Sequence, residues 1–268
     1  MSSSTSAVLN ERRGPLLLLR LNRPEVRNAL NGELVAALHA ELLAAQSDPG
    51  VRCAVLCAAG TVFSAGADLK ALQALGEASS EENRADSQRL ADLLHLIYTS
   101  RLPVVAAVEG AAVAGGAGLA SVCDLVVAGE GARLGYTEVR LGFVAAIVMV
   151  FLVRAVGEKH ARELLLTGRL VSAAEAWRMG LINEVVPVGQ AEIRALKLAA
   201  EIAQASSTAL ASTREMLSLL PGMGLEEGLR YAVGMNAWTR TTDDLKEGVA
   251  AFLEKREPSW RAVSTAAE

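Results

Sequence analysis

The chain has 268 residues, 51% of them hydrophobic and 4% aromatic, and carries a formal net charge of −4. That length and apolar content bury a substantial core, which excludes a disordered chain and points to a soluble α/β protein. Lysines and arginines are scattered through an acidic total, so nucleic acid finds no basic field and an anionic ligand needs a local pocket.

Residues Met1 to Ser6 lack the basic start and apolar core of a secretory signal, and the run Leu16 to Leu19 is too short to cross a bilayer. The expectation is a cytoplasmic protein with no membrane partner. After a frayed start, Pro15 to Leu21 and Val51 to Ala58 read as buried strands, separated by a helix with Leu34, Leu38 and Leu42 on one face. Gly76 to Ala85, small and polar, reads as a mobile loop. A longer helix follows with Leu90, Leu93, Leu94 and Ile97 at helical spacing, and Pro103 to Val108 supplies another buried strand.

Further along, Ser172 and Glu175 have the spacing of a capping box, Gly180 is a natural helix stop, and Leu181 to Val186 reads as a short strand. From Gln190 onward the pattern is helical, with breaks near Pro221 and Thr241. The chain thus divides into an α/β region, 1–190, and a helical region, 191–268. No internal repeat of fixed period is visible.

Two glycine-containing segments follow strand-like runs: Phe63 to Lys70 and Val113 to Gly118. Small residues let the main chain approach a ligand, and a helix that starts at such a turn leaves its first N–H groups unpaired. Two turns of this kind aimed at one point make an oxyanion hole. Either alone also reads as ordinary turn chemistry.

Neither segment has the Gly-x-Gly-x-x-Gly spacing with a following ribose-binding acid, which sets a dinucleotide site aside. Cys53, Cys57 and Cys123 lie in apolar runs and read as buried free thiols. His39, His95 and His160 have no ligand spacing, so no metal is expected.

Four segments in order carry a family likeness: Leu21 to Asn31, Phe63 to Lys70, Val113 to Gly118 running on to Cys123-Asp124, and Glu247 to Arg256. Leu134 to Gly142 and Leu165 to Arg169 fall between them in the matching order. Together they resemble the crotonase superfamily, the enoyl-CoA hydratases and isomerases. The resemblance implies an α/β crotonase-type spiral of ββα units over 1–190 with the acyl-CoA site, and a C-terminal helical trimerisation region over 191–268. The implied assembly is a homotrimer or homohexamer. The implied substrate is an acyl-CoA thioester of fatty acid metabolism, with CoA a part of the substrate and no separate cofactor.

Carried over by position, the N–H groups of Ala67 and Gly115 form the oxyanion hole and Glu138 is the acid/base. Arg27, Ala65, Ala67, Asp68, Leu69, Lys70 and Gly115 bind the substrate, joined by Phe252 and Lys255 from the C-terminal helix. Phe143 to Val148, an apolar run, shapes the acyl cavity or packs the core. Clp-type peptidases share the spiral, but no motif joins Ser121 to a histidine here.

The departure from the family pattern is Gly118, where two-glutamate hydratases carry their other catalytic glutamate. One remaining carboxylate supports hydration of a 2,3 double bond, the leading expectation, in the manner of glutaconyl-type hydratases. It also suits a Δ3-Δ2-enoyl-CoA isomerase, the second expectation, which removes a proton at C2 and returns it at C4. A non-catalytic acyl-CoA-binding relative is the alternative outside enzymology.

Overall fold

A computed structural model describes residues 6–262. It opens on a hairpin, β1 (Val8–Arg13) against β2 (Leu16–Leu21), turning at Gly14 with φ 56°. A frayed start was expected over this stretch. Only Val8 of β1 is buried, so an exposed edge strand gives no alternating signal in the sequence. The rest of that expectation, residues 1–5, lies outside the described residues.

Asn31 caps α1 (Gly32–Ser47) by accepting the Leu34 N–H, and the helix buries Leu34, Leu38 and Leu42 as expected. It leads to β3 (Cys53–Ala58), parallel to β2. α2 (Leu69–Gly76) and α3 (Ser80–Thr99) then replace most of the expected mobile loop. The reason is local: Ser79 and Glu82 form a reciprocal capping box that starts α3 early.

Next come β4 (Val104–Val108), β5 (Ala111–Val113), α4 (Gly115–Ser121), β6 (Leu125–Gly129) and β7 (Arg133–Gly135). A 3-10 turn at Glu138–Leu141 precedes α5 (Ala146–Thr167), which kinks at Gly157 with φ 72°. β8 (Val171–Ser172), α6 (Ala173–Arg178) and β9 (Glu184–Val186) complete the α/β part, with the expected Ser172–Glu175 capping box in place. The helical part comprises α7 (Ala191–Ala203), α8 (Ser207–Leu219), α9 (Leu225–Thr239) and α10 (Asp243–Glu254), ahead of a last short turn.

The strands form a six-stranded sheet, β1-β2-β3-β4-β6-β9, and a three-stranded sheet, β5-β7-β8. The units β4-β5-α4 and β6-β7-α5 each place one strand in each sheet before a helix. These are successive turns of the expected ββα spiral. The larger sheet is covered on both faces, which explains its continuous apolar strands. Leu19, Ala54 and Leu56 face α1 and α3, while Leu18, Cys53, Val55 and Cys57 face α7. Ala191, Ala195, Ala199 and Ala203 recur every fourth residue on α7, and this buried stripe lets the helix sit close on the sheet.

All three cysteines are free and buried, and burial pushes their thiols up, that of Cys57 to about 12. They are inert core residues. α8 is tied to the core by Arg214, whose Nε lies 2.7 Å from Asp124 Oδ1 and whose Nη2 donates to the Ile97 carbonyl. Asp124 in turn accepts the Val104 N–H at 2.7 Å. Among the described residues no helix is long and apolar enough to cross a membrane.

Candidate active site

The first turn is stitched to its surroundings on both sides of Ala67. Leu30 donates its N–H to the Gly66 carbonyl at 2.7 Å and accepts the Asp68 N–H at 2.9 Å. A parallel bridge of that form turns the Ala67 N–H away from Leu30. Ser64 pairs with β5, donating to Ala111 and accepting from Val113. The two glycine turns are thereby held side by side.

Their closeness depends on Gly66, at φ +87°. A Cβ there would stand 2.8 Å from both Ala114 Cβ and the Val113 carbonyl, and 3.4 Å from the Gly115 nitrogen. Ala114 itself sits at φ 54°, ψ −125°, a conformation costly for a residue with a side chain. It is held there by the bond from its N–H to the Gly135 carbonyl, 2.7 Å, while its own carbonyl accepts the Gly118 N–H at 3.0 Å. That second bond polarises the peptide whose N–H belongs to Gly115. Among the described residues, neither the Ala67 nor the Gly115 N–H has a hydrogen-bond partner.

β7 lies beside β5 and delivers Glu138 next to the strand that delivers Gly115. Glu138 is 8% exposed, and its Oε2 is buried without a partner. Burial pushes its carboxyl above the ordinary range, opposed only by its own backbone N–H. A desolvated carboxyl with one oxygen left unpartnered is equipped to carry protons.

Gly118 has no room for a side chain, since its Cβ would fall 2.1 Å from Val148 Cγ1 on α5. The missing second carboxylate is therefore built into the packing of α4 on α5. Ser121 pairs with Tyr136 and not with a histidine, which removes the peptidase arrangement. Among the described residues no cluster of three His, Cys, Asp or Glu could hold a metal ion.

Arg27, exposed and at φ 55°, accepts the Ala65 N–H on its carbonyl at 3.0 Å and so stands beside the first turn. Ala65, Leu69 and Lys70 are exposed around it. Asp68 caps α2 through the Lys70 and Ala71 N–H groups and pairs with Arg23 at 3.2 Å. Burial raises its carboxyl, but Arg23 and those N–H groups outweigh this and hold it below the usual range. Its carboxylate is thus committed to shaping the turn. Phe252, 83% exposed, and Lys255 lie at the end of α10. Among the described residues no hydrogen bond or ion pair joins α10 to the Ala65–Lys70 segment.

Sequence reasoning did not single out Asn28, which is fully buried at φ 53°. Its side chain accepts the Arg23 N–H and donates to the Ala59 and Val62 carbonyls, each at 2.8 Å, and its own carbonyl accepts from Ser64 Oγ. This network anchors the loop before Ala67. The signal was present: an asparagine, tolerant of the left-handed region, sits between a turn and an apolar pair.

A sequence model of the family described as enoyl-CoA hydratase/isomerase matches residues 11–263. A relative from Thermus thermophilus, which bears the provisional name enoyl-CoA hydratase, is 55% identical over 92% of this chain and 98% of its own. The 2,3-dehydroadipyl-CoA hydratase of Escherichia coli is 35% identical over 96% and 99%. The crystal structure of an enoyl-CoA hydratase from Polaromonas superposes with a TM-score of 0.90 at 34% identity, covering 94% of this chain and 98% of that one. Family model, relatives and fold agree: the chain belongs to the enoyl-CoA hydratase/isomerase family of the crotonase superfamily.

Proposed function

We propose that the protein is an enoyl-CoA hydratase that adds water across the 2,3 double bond of an acyl-CoA thioester. The observation that carries this reading is the buried Glu138 carboxyl, its Oε2 without a partner, on the chain that leaves β7 beside the strand leading to the free Gly115 N–H, with the Ala67 N–H free on the adjoining turn. Those amides donate to the thioester oxygen and bind it more strongly as it gains enolate charge. One such donor commonly lowers a barrier by about 3 kcal/mol. Glu138, ionised, takes a proton from water as the water oxygen bonds to C3 and the π pair moves toward the thioester oxygen. Now protonated, it returns that proton to C2, which balances the addition with one carboxylate.

The closed space at Gly118 favours one second reading, a Δ3-Δ2-enoyl-CoA isomerase in which Glu138 moves a proton from C2 to C4. Arg27 and Lys70 serve the CoA phosphates in both, Lys70 as a point charge. Phe252 and Lys255 act on the site of a neighbouring subunit, in keeping with their exposure and with the lack, among the described residues, of a hydrogen bond or ion pair from α10 to the Ala65–Lys70 turn. Residues 191–268 then build a homotrimer or homohexamer, supported by the exposed apolar residues of α9 and α10. Three buried free thiols suit the reducing cytoplasm, and the substrate suits fatty acid metabolism.

The test is incubation with a trans-2-enoyl-CoA and, separately, a 3-enoyl-CoA, with products read by mass spectrometry and NMR. Gain of one water by the 2-enoyl substrate is expected. A double-bond shift without water selects the isomerase. Binding of both thioesters with no product selects the non-catalytic relative.

A further inference from the structure

β5 and β7 end together at the bond from the Ala114 N–H to the Gly135 carbonyl. Beyond it the chains part, one entering α4 with Gly115, the other running through Tyr136 and Thr137 to Glu138. Among the described residues a single hydrogen bond joins them again, Tyr136 Oη to Ser121 Oγ at 3.0 Å. Ser121 Oγ also donates to the Gly118 carbonyl at 3.1 Å, which uses its one hydrogen. Tyr136 is therefore the donor, and the chain runs from Tyr136 through Ser121 to the backbone of α4.

Tyr136 is 1% exposed, and burial raises its phenol far above its ordinary range despite the Ser121 bond, with the Glu138 charge adding to the rise. The hydroxyl thus stays a neutral donor, on the segment that leads two residues on to the candidate base. A phenylalanine would fill the same space without desolvating a hydroxyl, and a neutral buried hydrogen bond adds little net stability. We propose that Tyr136 and Ser121 are positioning residues: their hydrogen bond sets the distance between Glu138 and the Gly115 end of α4. The inference rests on the function proposed above.

The test uses Tyr136→Phe, Ser121→Ala and the double variant in the intact assembly. Expected is a fall in kcat for trans-2-enoyl-CoA of about tenfold in each, within the ~10²-fold that a misplacement of about 1 Å can cost. KM stays within about twofold, and the double variant falls no further than the singles, because one bond is lost in all three. Ser121→Thr, which keeps a hydroxyl, retains the wild-type kcat. A second readout is Glu138-dependent exchange of the C2 proton of a saturated acyl-CoA in D2O, which requires the same alignment whichever overall reaction is run. Wild-type kcat and exchange in Tyr136→Phe, or losses that multiply in the double variant, overturn the inference and leave the function standing. Full activity in Glu138→Gln overturns the function instead.

Discussion

The six-stranded sheet and the C-terminal helices solve burial in different ways. β3 and β4 are buried almost throughout, and α7 covers them with an alanine stripe. By contrast, α9 buries only Gly228 and α10 only Ala251, leaving Leu225 at 77% and Val233 at 70% exposure. α8, α9 and α10 also surround a cavity of about 500 Å³ lined by Met216, Met235, Leu245 and Trp260. The sheet is a core complete in one chain. The last three helices keep apolar faces that one chain does not cover.

The sharpest way to break that contrast is to cut the link between the regions. Arg214→Ala leaves Asp124 without its 2.7 Å partner and the Ile97 carbonyl without a donor, at an expected cost of about 3–5 kcal/mol in chemical denaturation. A loss under about 1 kcal/mol would mean α8 is held by its apolar contacts alone. Within the core, Gly118→Ala overpacks against Val148 and costs about 1–3 kcal/mol, most of it recovered by adding Val148→Ala. Additive losses in that pair would show that α4 and α5 yield independently.

The pH dependence of stability is a smaller effect confined to the site. Burial raises the folded-state carboxyl of Glu138, so its neutral form favours the fold. The stability it contributes is whole below the unfolded carboxylate value and is lost as pH rises through the higher folded one. Glu138→Gln is therefore expected to raise Tm relative to wild type at neutral pH and to match it near ~pH 4. A gain of equal size at both pH values contradicts this. Smallest in stability is Leu253→Ser, an exposed position expected to change the intrachain unfolding free energy by no more than about 0.5 kcal/mol while weakening the assembly measured by sedimentation.

The buried sheet and its covering helices were legible because their signals are local, apolar runs and four-residue spacings. β1 was missed because edge exposure erases alternation, and the early start of α3 because the capping box at Ser79 sat inside a polar stretch read as loop. The candidate site, the glycine turns and Glu138, was named through resemblance. The strained Ala114 and buried Asn28 were not, since each matters through contacts distant in sequence: Asn28 reaches Ala59 and Val62, and Ala114 meets Gly135. The lack of space at Gly118 needs the fold, because Val148 lies thirty positions away on another helix.

The central claim is that Glu138 moves the protons while the Ala67 and Gly115 amides hold the thioester oxygen. Steady-state hydration of a trans-2-enoyl-CoA by wild type and Glu138→Gln, with thioester affinity measured by calorimetry on both, tests it most directly. The account predicts a fall in kcat of about 10²–10⁴-fold in the variant with affinity nearly unchanged. Retention of wild-type turnover by Glu138→Gln would contradict it.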